Sequence, residues 1–366
     1  MSLLKRLLGK AEPDRTQSPD AAEPLLVNAY STLRVAPPLD VLHKPVGRRD
    51  LSDPELAEHL QGFIGYVLGR GDGQMTAARY HLWRHVQRVH NHLSFEVATH
   101  DLAGIEIWGR VANAVFFLPD GSVRAPDMAV ILSANGDSDP SAAVPYQEDA
   151  VKRRQRTRET LAGIAPQPPV SIPPAIGEAE LVLHSPQDVL RRALALFYVA
   201  AQAQARSTGM AAIPAGQRKQ NPVGAAAITP VEKTFLEARG SDQDAASAMT
   251  WRYEAANTLL WALGIDAADI GNSNRMIDVD LLWSSAKALA LDGATARVQL
   301  RAAGEILDAL DRTWLEHWIV RQARQKDMPL DRLNGDIVME RHVALNWLTN
   351  FQNDFGTSWD YTDTPT

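Results

Sequence analysis

Between Leu25 and about Ser133 the spacing of apolar positions switches repeatedly between two periods. Leu25 to Leu33 reads as a strand. After Ser52 or Asp53, either of which can cap, and Pro54 at a first helical position, Leu56, Leu60, Phe63 and Val67 recur on one helical face. Tyr80, Trp83, Val86 and Val89 give a second helix over Thr76 to Val89; Leu93 to Ala98 returns to strand, and Asp101 to Val111 is a capped helix. Ala114 to Leu118 and Met128 to Leu132 are strands connected through Pro119, Asp120 and Gly121, a turn signal. This order predicts an α+β domain over 25–133, a small antiparallel sheet with helices on a face.

The pattern lapses from 134 to 185. A basic run of Lys152, Arg153, Arg154, Arg156 and Arg158 precedes Pro166, Pro168, Pro169, Pro173 and Pro174, which reads as a solvated helix leading into an extended linker and places a domain boundary here. Beyond Ser185 as N-cap and Pro186 as first helical residue, helices are expected at 186–206, 229–238, 245–264, 276–290, 301–325 and 337–351, with a Gly/Pro/Ala-rich loop at 207–228. An all-α domain over 186–366 follows, and seven of the nine tryptophans, from Trp251 onward, mark its core. At the other end, MSLLKRLLGK carries Leu3, Leu4, Leu7 and Leu8 at helical spacing, so 1–24 reads as a short amphipathic start and a tether.

Composition narrows the chemistry. Apolar residues at 45% and charged residues at 22% exclude a wholly disordered or membrane-embedded chain, and no apolar run approaches the roughly 20 residues of a spanning helix. The absence of cysteine removes disulfides, thiolate zinc, iron–sulfur clusters and a cysteine nucleophile, so any metal needs His, Asp or Glu. A formal charge of −7 argues against nucleic acid, and the start lacks the h-region of a secretory signal, which points to the cytoplasm. His81 and His85 have metal-ligand spacing, but HLWRH lacks the Glu of HExxH. GRGDGQM (69–75) has no Lys followed by Ser or Thr, and no GxSxG elbow occurs. No metal or cofactor is expected.

Several segments, in order and spacing, resemble a known bacterial family. WRYEAANTLLWALG (251–264), EILDALDRTWLEHWIVRQAR (305–324), ERHVALNWL (340–348) and WDYTDT (359–364), with RRALALFYVAAQA (191–203) and ITPVEKTFLE (228–237), are similar to the family called domain of unknown function 4272. The resemblance implies a helical unit over about 186–366 and brings no activity, cofactor or catalytic residue. HLQGFIGYV (59–67) and NAVFFLPDGSV (113–123) are similar to the α+β segment that precedes the helices in longer relatives.

Charged residues on faces that should be dry are the remaining candidates, because an isolated buried charge is too costly to keep. Arg252 falls inside the apolar arc of helix 245–264, and Glu254 lies on that helix's polar stripe with Thr250 and Asn257. On helix 301–325, Glu305, Asp308, Arg312 and Glu316 share a solvent face, whereas Asp311, His317 and Arg321 lie on the apolar side, with Arg324 suited to the helix end. Asp336 is expected to cap the last helix, and Glu340 shares an arc with Val343, Trp347 and Phe351, so it should meet an arginine, Arg252 or Arg321. Convergence of Arg252, Glu254, Asp311, His317, Arg321 and Glu340 allows two readings. One is a non-catalytic binding protein with a protein partner, whose charges specify helix register. The other is an enzyme or a small-molecule or anion-binding protein with these groups in an open cleft.

Overall fold

The computed structural model describes residues 24–209, 221–238, 242–292, 297–350 and 358–366. The amphipathic start, residues 210–220 of the 207–228 loop and Phe351 lie outside the described residues. Six strands, β1 (Leu25–Ser31), β2 (His43–Asp50), β3 (Asn91–Val97), β4 (Ala114–Phe117), β5 (Val123–Arg124) and β6 (Val130–Leu132), form one antiparallel sheet in the order β2-β3-β1-β4-β5-β6.

Helices cover both faces of this sheet rather than one. Tyr30 and Val115 point to α1 (Glu55–Leu68) and α2 (Ala77–Val86), where Leu56, Leu60, Phe63, Leu82 and Val86 meet them. Val27, Ala29, Phe95 and Phe116 point to Ile105 and Trp108 of α3 (Leu102–Val111). The apolar content of β1 and β4 on alternate residues makes both faces dry, so each needs a cover. α3 sits close to the sheet because Gly109 has no side chain: a Cβ there would lie 2.5 Å from Cζ of Phe116, which is fully buried. Gly109→Ala should therefore lower stability by roughly 1–3 kcal/mol, read from the denaturant midpoint.

β2 has no counterpart in the sequence reading. HKPVGRRD lacks apolar alternation, and Pro45 with the register shift beside Gly47 fits only an edge strand.

The remaining helices are α4 (Glu148–Leu161), α5 (Pro186–Ser207), α6 (Pro222–Ala225), α7 (Pro230–Glu237), α8 (Gln243–Thr250), α9 (Arg252–Ala262), α10 (Val279–Asp292), α11 (Ala303–Gln325) and α12 (Gly335–Leu348). The helix expected at 245–264 is thus two, broken at Trp251. Ser185 caps α5 as expected, and Thr229 with Glu232 forms a capping box on α7. α9 is buried nearly all round, with Tyr253, Ala256, Leu259 and Leu260 against Leu190, Ala193, Leu194 and Phe197 of α5.

Residues 134–185 depart most from expectation. Ala150, Arg154, Thr157 and Leu161 form a buried helical stripe on α4, not a solvated face. Leu161 packs on Leu315, Ile319 and Val320 of α11, and Ala175 and Leu181 pack on Leu307, Leu310 and Trp314. The same segment holds the sheet side: Arg88 meets Glu180 at 3.1 Å with both side chains buried, and the Arg34 N–H donates to the Ala179 carbonyl at 3.0 Å.

Candidate functional site

The six predicted side chains do not share one cleft; they are divided among separate partnerships. Arg252 is the arginine that meets Glu340, with its Nη1 at 3.1 and 3.2 Å from the two carboxylate oxygens. Trp359 of the tail lies 5.9 Å beneath that guanidinium and 5.0 Å beneath Arg192, whose own partner is buried Glu232. Burial pushes the Glu340 carboxyl up and Arg252 opposes the shift.

Glu254 has a different partner. Arg341 Nη2 donates to it at 3.2 Å and Nη1 donates to the Ile270 carbonyl at 3.0 Å; the Ile277 N–H fills the other Glu254 oxygen at 2.8 Å. Arg341 also reaches Ser273, whose hydroxyl donates to Glu316 at 2.6 Å, and Glu316 accepts in turn from Arg312 at 2.8 Å. This network ties α9, α11, α12 and the loop before α10 together. It also corrects the solvent face expected for α11: Glu316 is 1% exposed, because the loop carrying Ser273 folds over it. Burial raises the Glu254 pKa, with Arg341 opposing.

Asp311 lies on the side of α11 that faces α4. It accepts from Arg154 Nε at 3.0 Å and Nη2 at 2.7 Å, and from the Ala175 N–H at 3.1 Å. His317 shares a hydrogen bond with His342, Nδ1 to Nδ1 at 2.8 Å. Burial, reinforced by Arg321 and Arg324, pushes His317 down to about 4; His342 falls well below its ordinary value through burial, His317 and Arg84. Both rings are therefore neutral at pH 7, one donating and one accepting. Arg321 is exposed and donates to the Thr366 hydroxyl at 2.7 Å. Asp336 is not the cap of α12: Asn334 accepts from the Asp336 and Ile337 N–H groups at 3.0 and 3.3 Å.

The residues that sequence reasoning missed are the partners. Arg154 was legible, since it occupies the stripe of Ala150, Thr157 and Leu161 at helical spacing. Arg341 and His342 follow Glu340 directly and project to either side of its arc, where the sequence alone gives them no partner, and nothing in the sequence marks Ser273. Of the two histidines with metal spacing, His81 meets the Ser171 carbonyl at 2.8 Å and the Tyr146 hydroxyl at 2.8 Å, and His85 meets the Tyr30 carbonyl at 3.0 Å.

Cavities among the described residues lie elsewhere. One of about 520 Å³ opens between α1 and the sheet, one of about 160 Å³ lies between α5 and α10, and one of about 30 Å³ is enclosed near Arg84 and Trp314. None of the six predicted residues lines any of these three.

No curated protein and no solved structure matches the chain. Residues 153–362 match the family described as domain of unknown function (DUF4272), a span that begins inside α4 and includes the buried arginine–carboxylate pairs at Glu254, Asp311 and Glu340, and Trp359 of the tail. With more than half of its length inside that match, the chain belongs to the domain of unknown function 4272 family.

Proposed function

We propose that the chain is a non-catalytic binding protein of the bacterial cytoplasm that engages a protein partner, with its helical region as a rigid scaffold. One observation carries this reading: each buried carboxylate that a catalytic cleft would use is held by an arginine. Glu254, Asp311 and Glu340 are each at most 3% exposed and each hydrogen-bonded to an arginine, so none is free to exchange protons with a substrate. A protein partner is supported by α10, which leaves Leu281, Trp283 and Leu291 exposed to solvent, apolar area that a binding surface would cover. No described helix is long and apolar enough to cross a membrane.

Thermal and denaturant unfolding of Glu254→Ala, alongside native mass spectrometry of wild type and variant, tests the reading. The variant leaves Arg341 buried without its carboxylate and should lose about 3 kcal/mol of stability. A small molecule carried by the wild type and lost from a variant of unchanged stability would overturn it.

A further inference from the structure

The cavity between α1 and the sheet is built differently from the network in the helices. Its floor is aromatic. Tyr30 of β1, Phe63 and Tyr66 of α1 and Phe117 of β4 line it, with Phe63 and Phe117 at 5.5 Å between centroids and Tyr66 edge-on to Phe117 at 5.2 Å. Its rim is charged: Arg49 from the edge strand, and Glu55 and Glu58 from the first turn of α1. Arg49 is already engaged by Glu55 at 3.4 Å, and Glu58 makes no hydrogen bond or ion pair among the described residues. With Arg49 and Glu55 paired, Glu58 is the rim charge left without a partner among the described residues. His59 adds a neutral hydrogen-bonding ring, held by the Tyr30 hydroxyl at 3.1 Å through Nε2, its pKa pushed down by burial and by Arg49. Rings stacked around a carboxylate attract an organic cation through their negative faces. Tyr66 already holds one in this way, the Arg70 guanidinium 4.1 Å from its centroid.

Gly62 lines the cavity from the interior of α1, and a Cβ built on it would meet no atom within 4 Å. A glycine inside a helix costs roughly 0.5–1 kcal/mol relative to alanine. Gly62 is exposed at the open mouth of the cavity, where no packed neighbour requires a glycine and a larger side chain would project into the opening.

We infer that this cavity is a binding site for a small planar organic cation, an aromatic ring carrying an ammonium on a short arm, with the ring against Phe63, Tyr66 and Phe117 and the ammonium at Glu58. Phosphates and aromatic carboxylates are disfavoured by the two glutamates on the rim. The site lies outside the residues that match the family and is separate from the scaffold reading above.

Calorimetric titration of the full chain with tryptamine and with indole-3-propionate, which share a ring system and differ in the sign of the charge, tests the inference. Saturable binding of tryptamine is expected, with the propionate much weaker. Glu58→Gln should weaken tryptamine by about tenfold. Gly62→Leu should abolish binding while leaving thermal stability equal or higher, because it removes a helical glycine and fills open space. Absence of saturable tryptamine binding, equal binding of the two probes, or binding untouched by Gly62→Leu would each overturn it.

Discussion

Replacing Asp311 with alanine is expected to lower the unfolding free energy by about 3–5 kcal/mol, the largest single-residue effect anticipated for this chain. The carboxylate is 0% exposed and holds three hydrogen bonds from Arg154 together with the Ala175 N–H. Removing it strands a buried guanidinium and a buried backbone donor at once, and both lose water without a replacement partner. The exposed Lys152–Glu148 pair, on the same helix as Arg154, should contribute little by comparison, because water screens it. Denaturant titration of Asp311→Ala, Arg154→Met and the double variant Arg154→Met/Asp311→Leu separates the terms. The two single changes should be severe and the double change should recover much of the loss, because a well-packed apolar pair carries no uncompensated charge. A loss below about 1 kcal/mol for Asp311→Ala would show that α4 is not anchored through this pair.

Acid should destabilise the protein well before its carboxylates reach their ordinary range. Burial, with Arg88 adding to it, pushes His85 down to about 3; burial, His59 and Arg49 push His92 to about 3; His317 lies near 4 and His342 well below its ordinary value. Each of these folded-state values is below the unfolded value of 6.5, so the unfolded chain binds more protons as soon as pH falls below about 6.5. Their contribution is complete above that pH and is lost as pH falls towards 4 and 3. Glu254 and Glu340 have raised values and act with the opposite sign, because their folded forms take up protons first. The lowered histidines, which also include His59, His81 and His184, outnumber the two raised glutamates, so the net effect is a loss of stability as pH falls below about 6.5. Denaturant midpoints should be level above pH 7 and fall steeply from about 6.5 downward; a level profile through pH 5 would mean that the histidines are protonated in the folded chain.

Much of the fold was legible because periodicity reports burial. The strand at Leu25, the helix after Pro54 and the α5 cap at Ser185 all follow from spacing and local capping chemistry. β2 was not, since an edge strand with exposed side chains has no apolar alternation to read, and β5 is only two residues long. In the charged network, helical angles placed Arg252 beside Glu340 but could not separate one site from several, because an angle on one helix says nothing about which neighbour faces it. Glu316 is the clearest case: its angle belongs with Glu305 and Asp308, and it is buried only because Ser273 arrives from a loop with no periodic signal. α4 was misread for a related reason. Five basic residues suggested water, while the position of Arg154 between Ala150 and Thr157 was the better guide.

That helix also decides where the chain can be divided. A fragment beginning at Pro186 would discard Arg154, Leu161, Ala175 and Leu181, leaving Asp311 and the apolar side of α11 exposed. A cut at the family boundary, residue 153, is little better. It removes Asp149, whose carboxylate accepts from both Arg153 and the Glu178 N–H at 3.1 and 3.0 Å. The shortest piece that keeps the helices sealed starts ahead of Glu148, and Glu180 on that piece would still come away from Arg88.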